Sequence, residues 1–393
     1  MSDPDGGRFP ASTFGPYRRQ PFTVDTEPAL PVPPSPAPPP VWRIAPGTER
    51  PPAPRNLLIH QARFRVGDTL WLTPLLRAVR RAFPEAETTV AAGPLARQVL
   101  ERSPWISDLV IWSPEEGEAE RRRVLDLLAE KDFDTALFAL ARRDKSRWLA
   151  EAAAERGVPY RVNVEYAVND ADVPEDGLFT HEGWLAWGTT PSPCVLLHAL
   201  HPWLGDQEWT ADRRVELPVA EDDHRAAERV LAAAGIGDSP FVILAPAGHS
   251  SDRWPPERFA ELAARLAEEY KVAVLVEGAP ADAPLLREVV DRAAHPRVRI
   301  AADPLGVLAA LLARARLLVA NDSAPIHVAE AAGTPTLYFA HREKLVHSHP
   351  AGPRCWALYD EERNRLADIS VEQVLGALPE LLQEDVGSVR RDL

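Results

Sequence analysis

From residue 56 onward, short apolar runs alternate with stretches whose apolar positions recur every three or four residues. The first run is NLLIH, Asn56 to His60. After it, Leu72, Leu76, Val79 and Phe83 mark one face of a helix, and Arg77, Arg80 and Arg81 fall on the other. Strands are predicted over 88–93, 108–113, 135–140 and 160–164, with helices from Pro94, over 117–131 and near 145–156. The rhythm breaks over 165–216, a stretch rich in Trp, Pro and Asp to which the pattern assigns no element. It resumes with a helix over 222–234 that stops at Gly235, a residue suited to a C-cap. Strands over 241–248, 271–278, 298–302, 317–323 and 334–340 follow, separated by helices from Pro255-Pro256 and over 282–293, 305–315 and 325–332. A last amphipathic helix spans about 370–384. Continuous apolar strands between amphipathic helices predict parallel sheets covered on both faces, an α/β fold with two Rossmann-like domains.

The boundaries expected are a tail over 1–54, a first domain over 55–216, a second over 217–345, and a C-terminal segment over 346–393 with a closing helix. Residues 28–54 hold twelve prolines, which lack the backbone donor that helices and ladders need. The tail is therefore expected to be extended or disordered, a spacer first and a docking segment for a protein partner second.

The chain of 393 residues has a formal net charge of −14, which argues against general nucleic-acid binding but leaves room for a local site for a small anion. Two cysteines are too few for a disulfide framework or a zinc site, and point to a reducing cytoplasm. No run approaches the roughly 18 apolar residues that a membrane span needs, and no secretory leader pattern opens the chain. Peripheral association with a membrane surface stays open.

In open parallel sheets ligands sit beyond the carboxyl ends of the strands. Three such ends carry notable chemistry: Val66-Gly67-Asp68, Gly248 to Trp254, and Asn321 to His327. From residue type alone Asp68 reads first as the N-cap of a helix beginning at Thr69, a role compatible with catalysis. Gly67 permits close approach of backbone or ligand beside it. At Asn321-Asp322-Ser323 a strand hands over to a helix, whose free N–H groups and dipole suit a diphosphate. Ser323 offers a hydroxyl there, and Asp322 would orient the loop. Ser250, Ser251 and Arg253 could face the phosphates from the other loop, while Trp254 reads as a core anchor. His327 falls inside the helix, where packing and ligand contact are equally good readings. The pairs Asp132/Asp134 and Asp170/Asp172, and the histidines 341, 347 and 349, lack the context of a metal site.

Three segments together resemble one family. GDTLWLTPLLRAVRRAFPEA, DRWPPERFAELAARLAEE and NDSAPIHVAEAAGTPTLYF are similar, in this order, to signatures of glycosyltransferase family 9, the heptosyltransferases of lipopolysaccharide assembly. ISVEQVLGALPELL resembles the usual closing helix. The resemblance spans about 56–385 and implies a GT-B fold: two Rossmann-like domains facing an interdomain cleft, with a C-terminal crossover helix. It implies an inverting, metal-independent transferase with no resident cofactor. The substrates would be a nucleotide-sugar such as ADP-heptose and a glycan or small-molecule acceptor. Asp68 then becomes the base.

Four positions depart from the family pattern. Asp252 stands where a lysine is usual, Ala324 replaces a glycine, Ala245-Pro-Ala-Gly248 replaces His-Pro-Gly-Ala, and Ala340-His341-Arg342 replaces Gly-Pro-Thr. His341 and Arg342 bring new polar groups to a strand end and point to an altered donor. The alternatives are a catalytically degenerate scaffold that binds a partner, and a nucleotide-sugar 2-epimerase on the same fold.

Overall fold

The computed structural model describes residues 17–22, 41–45, 48–62, 65–113, 117–139, 143–167, 177–186, 191–205, 212–248, 253–350, 355–360 and 363–383. The chain divides into two compact units, one formed by 31–218 with 346–349, the other by 1–30, 219–345 and 350–393.

The first unit holds strands β2 (Val41–Ile44), β3 (Asn56–Gln61), β4 (Glu87–Ala92), β5 (Asp108–Ile111), β6 (Thr135–Ala139), β7 (Tyr160–Ala167) and β8 (His181–Ala186); β1 (Tyr17–Phe22) belongs to the second unit. Their order across the sheet is β2-β8-β7-β6-β3-β4-β5. All neighbours are parallel except β2 on β8. Setting β2 aside, the strands run third, second, first, fourth, fifth, sixth along the sheet, the Rossmann order, with the switch point between β3 and β6. Side chains alternate between faces along each strand, so Leu58 and Ala62 meet Ala136, Phe138, Val124 and Leu149 in one core.

The second unit repeats the plan. Strands β9 (Phe241–Ala245), β10 (Ala273–Glu277), β11 (Val298–Ala301), β12 (Leu317–Asn321), β13 (Thr336–Phe339) and β14 (Cys355–Asp360) lie in the order β1-β14-β13-β12-β9-β10-β11. β1 is antiparallel to β14 and the rest are parallel. The switch point here falls between β9 and β12. Val242, Leu244, Val274, Val276, Val319 and Phe339 pack on Leu262 and Leu266 of the helix Pro256–Glu269 and on Val374 and Leu378 of the closing helix Val371–Gln383. Each such side chain, fully buried, stabilises the fold by roughly 1.5–3 kcal/mol.

The expectation that the tail forms no ladder is corrected at two places. Tyr17–Phe22 and Val41–Ile44 are both edge strands. The VWRI segment is a proline-free gap within the proline run, so its donors are intact. Trp42 lies over Gly183 of β8, where an added Cβ would stand 3.0 Å from its ring, and the Arg43 guanidinium sits 5.0 Å from the Trp184 ring centroid. Pro21 of β1 is tolerable because an edge strand need not donate on both sides. The remaining prolines of 28–40 lie outside the described residues.

A second correction concerns Arg77. Helical spacing assigns it to the polar face, yet its side chain is only 3% exposed. It donates to Glu216 Oε1 at 2.7 Å, to Asp212 Oδ1 at 2.9 Å, and to the carbonyls of Asp212 and Arg214, each at 3.1 Å. Trp105 Nε1 donates to the other Glu216 oxygen at 2.6 Å. The segment 212–216, unassigned from sequence, is thereby clamped to the helix Thr73–Ala82.

Candidate functional site

In the first unit, β3 leads into the helix Val66–Leu70. Its N-cap is Arg65, so Asp68 is the third helical residue and does not cap a helix starting at Thr69, as one sequence reading had it. An acidic residue in the first turn complements the helix dipole. Gln61 Nε2 donates to the Asp68 carbonyl at 2.8 Å, tying the helix back to the end of β3. Asp68 and Gly67 are half-buried beside the β3–β6 switch point.

In the second unit, the predicted residues that are described lie at or just beyond the carboxyl ends of β9, β12 and β13. Asn321, 2% exposed, is the hub. Its Nδ2 donates to the Pro246 carbonyl at 2.8 Å and the Trp254 carbonyl at 3.3 Å, and its Oδ1 accepts from the Trp254 N–H at 2.9 Å. One amide thus fixes both ends of the loop that follows β9. Gly248 closes against it: a Cβ there would lie 3.2 Å from Asn321 Cβ, so a larger residue would push the loop or Asn321 aside by a few tenths of an ångström. Trp254 is fully buried, stacked on Phe339 with centroids 4.3 Å apart, and donates Nε1 to the Ile369 carbonyl at 2.8 Å. It is the core anchor expected.

Ser323 is the N-cap residue of the helix Ala324–Ala332, and its Oγ donates to the Asn321 carbonyl at 3.1 Å. Its backbone is extended, and no side-chain bond closes the cap. The Asp322 N–H donates to the last carbonyl of β13, Phe339, at 3.1 Å. That bond sets Asp322 beside the turn carrying His341, Arg342 and Lys344, whose Nζ lies 3.6 Å from Asp322 Oδ2. Ala324 and His341 are half-buried and Arg342 is exposed, its N–H donating to Asn364 Oδ1 at 3.0 Å. His327 is 4% exposed, with Nδ1 3.7 Å from Glu330 Oε2 one turn on. Arg253 is half-buried beside Trp254. Ser250, Ser251 and Asp252 lie outside the described residues.

Two features escaped the sequence reading. Glu277, the last residue of β10, is 5% exposed, and its Oε2 meets no hydrogen-bond partner. Burial, then the nearby Asp282 and Asp303 carboxylates, pushes its acid up to about 8. The sole signal was a charge ending the apolar run KVAVLVEG. Asp134, one half of a discounted Asp-x-Asp pair, accepts from the backbone N–H groups of Arg55 and Asn56 at 2.9 and 3.2 Å and so starts β3.

Two Rossmann-order sheets in one chain, each with polar residues at its switch point, follow the plan of the GT-B fold. Residues 204–375 match the family model described as glycosyltransferase family 9 (heptosyltransferase). The chain thus carries a segment similar to that family. It is 24% identical over 353 residues to lipopolysaccharide heptosyltransferase 3 of Escherichia coli (strain K12), covering 83% of this chain and 98% of that one. A glycosyl transferase family 9 structure from Veillonella parvula DSM 2008 superposes with a TM-score of 0.69 at 19% identity, over 84% of this chain and 97% of that one. The E. coli ADP-heptose lps heptosyltransferase II does so with a TM-score of 0.66 at 22% identity, over 84% and 98%.

Proposed function

We propose that this chain is an inverting, metal-independent glycosyltransferase that moves a heptose-like sugar from a nucleotide-sugar to an acceptor hydroxyl. The observation that carries the proposal is the open N-terminus of the helix Ala324–Ala332, held at the β9–β12 switch point by the Asn321 bonds. The Ala324 N–H and the dipole there favour a diphosphate, and Lys344 offsets the Asp322 carboxylate beside it. The fold shared with a structure named for ADP-heptose supports the class of donor.

In the proposed reaction Asp68 takes the acceptor hydroxyl's proton, and that oxygen bonds to the anomeric carbon of the sugar. The bond from this carbon to the diphosphate oxygen breaks, the anomeric configuration inverts, and the helix N–H groups meet the charge on the departing diphosphate. No resident cofactor enters this scheme, and a cytoplasmic location belongs to the same proposal. Gly67, Asp322, His327, Arg253, Ser250 and Ser251 are assigned to substrate contact on the family resemblance, and the Ala324 methyl narrows the phosphate end of the site.

The test uses the purified full chain against a panel of nucleotide-sugars, with binding by calorimetry and transfer followed by release of nucleoside diphosphate. Asp68→Asn is expected to lower turnover by roughly 10²–10⁴-fold and leave donor affinity within about twofold. Donor binding with undiminished turnover in Asp68→Asn removes the base from the mechanism. Absence of binding by any nucleotide-sugar leaves a degenerate scaffold.

A further inference from the structure

We propose that the first unit binds a single-chain amphiphile with an anionic head, of the class of a medium-chain carboxylate, in a cavity between the helices Gly117–Ala129 and Arg143–Glu155. This site is separate from the one proposed above and does not rest on it. Three observations support the assignment.

The first is the void itself, which measures about 340 Å³. Well-packed cores hold few voids larger than one water, and small-molecule sites begin at about 300 Å³. The floor is made by Leu58, Leu128, Leu149 and Ala153, buried side chains of one core. Its cause is in the sequence: alanines at 129, 152 and 153 stand where longer side chains would close the two helices over β3. Apolar cavities of about 150 Å³ stay dry and take up a benzene-sized guest, so this floor favours a hydrocarbon. A methylene fills about as much space as a water, about 30 Å³, which leaves room for about ten carbons.

The second observation is where the cavity opens. Phe133 and Val158 line it and lie just before β6 and β7, so its mouth is at the amino edge of the sheet. Asp68 follows the carboxyl end of β3, at the opposite edge. Leu125 and Phe133 are only partly buried against the core, and a bound chain would cover them.

The third is the charge at the rim. Glu130 and Asp132 are exposed to water, and Lys131 Nζ is already paired, 2.9 Å from Asp108 Oδ2. Arg156 is not. Its Nη2 donates to the Leu125 carbonyl at 3.2 Å, across the gap between the helices, and no carboxylate among the described residues is in ion-pair range of it. Gly157, with φ 74°, ends the helix and returns the Val158 N–H to the Ala153 carbonyl at 2.9 Å, which holds Arg156 at the rim. A guanidinium has five donors in a planar fork that matches a carboxylate, and one of them is spent here.

The experiment measures binding of decanoate, below its micellar concentration, and of decanol by calorimetry on the full chain. Wild type is expected to bind one decanoate, and decanol about tenfold more weakly for want of one charge-assisted hydrogen bond. Arg156→Gln should bind the two alike. Ala153→Leu fills the void, so it should abolish binding of both and unfold at a temperature no lower than wild type. A wild type that ignores decanoate overturns the proposal, as does equal binding by Ala153→Leu. Unfolding of Ala153→Leu well below wild type overturns the void. Equal affinity for decanoate and decanol in wild type, or an undiminished preference in Arg156→Gln, overturns the anionic head at Arg156.

Discussion

His60 gives the sharpest quantitative prediction. The side chain lies on β3 with no exposed surface, and neither ring nitrogen has a hydrogen-bond partner. Trp112, Phe138 and Trp148 enclose it with ring centroids 5.7, 5.8 and 6.0 Å away. Burial lowers its pKa from 6.5 to about 3, so the folded protein keeps the ring neutral where the unfolded chain protonates it. The unfolded state therefore binds more protons between pH 6.5 and 3. His60 contributes its full share of stability above pH 6.5 and loses it as the pH falls through that window. The whole shift corresponds to about 5 kcal/mol, of which about 1.2 kcal/mol is lost between pH 6 and 5. His60→Leu removes the titrating group and both orphaned nitrogens. Urea unfolding of wild type and variant at pH 7.5, 6 and 5 is the assay. The variant should be at least as stable at pH 7.5 and pull ahead by a further 1 kcal/mol or so from pH 6 to 5. Parallel losses in the two proteins would refute the sealed neutral imidazole.

Two other substitutions probe the clamps. Asn321→Asp keeps the acceptor for Trp254 N–H but places a carboxylate against two buried carbonyls; a loss of about 2–4 kcal/mol by denaturant unfolding is expected, with weaker nucleotide binding. Arg77→Met should cost about 1–3 kcal/mol by the same measurement, since the hydrogen bonds that clamp 212–216 are lost while Asp212 and Glu216 can still reach water.

Sequence periodicity was enough for the strands that follow one another through a helix, because their apolar runs are continuous and their partners are close in the chain. It was not enough for β2, β8 and β14. β2 owes its place to Trp42 settling on Gly183, a contact between residues 141 positions apart that no local pattern encodes. Arg77 shows the same limit for a helix: its spacing is polar, but its partners come from 135 to 139 residues later. At the site, the turn at Asn321 to Ser323 could be located from a strand ending in polar residues before a helix. That Asn321 spends its amide on backbone atoms, and leaves Ser323 and Asp322 to face outward chemistry, depends on where Pro246 and Trp254 lie in space. Asp68 could be placed at a strand end from residue order, but its helix begins two residues before Asp68, because Arg65 rather than Asp68 takes the cap position.

The proline-rich beginning of the chain looks dispensable to anyone trimming it for expression. Yet its two short segments each finish a sheet, one in either half of the molecule. Cutting at residue 54 would bare the unsatisfied margins of β14 and β8 at once, and bared margins recruit other chains. A shortened protein that precipitates would then say nothing about its catalytic competence, only that its selvedge had been cut away.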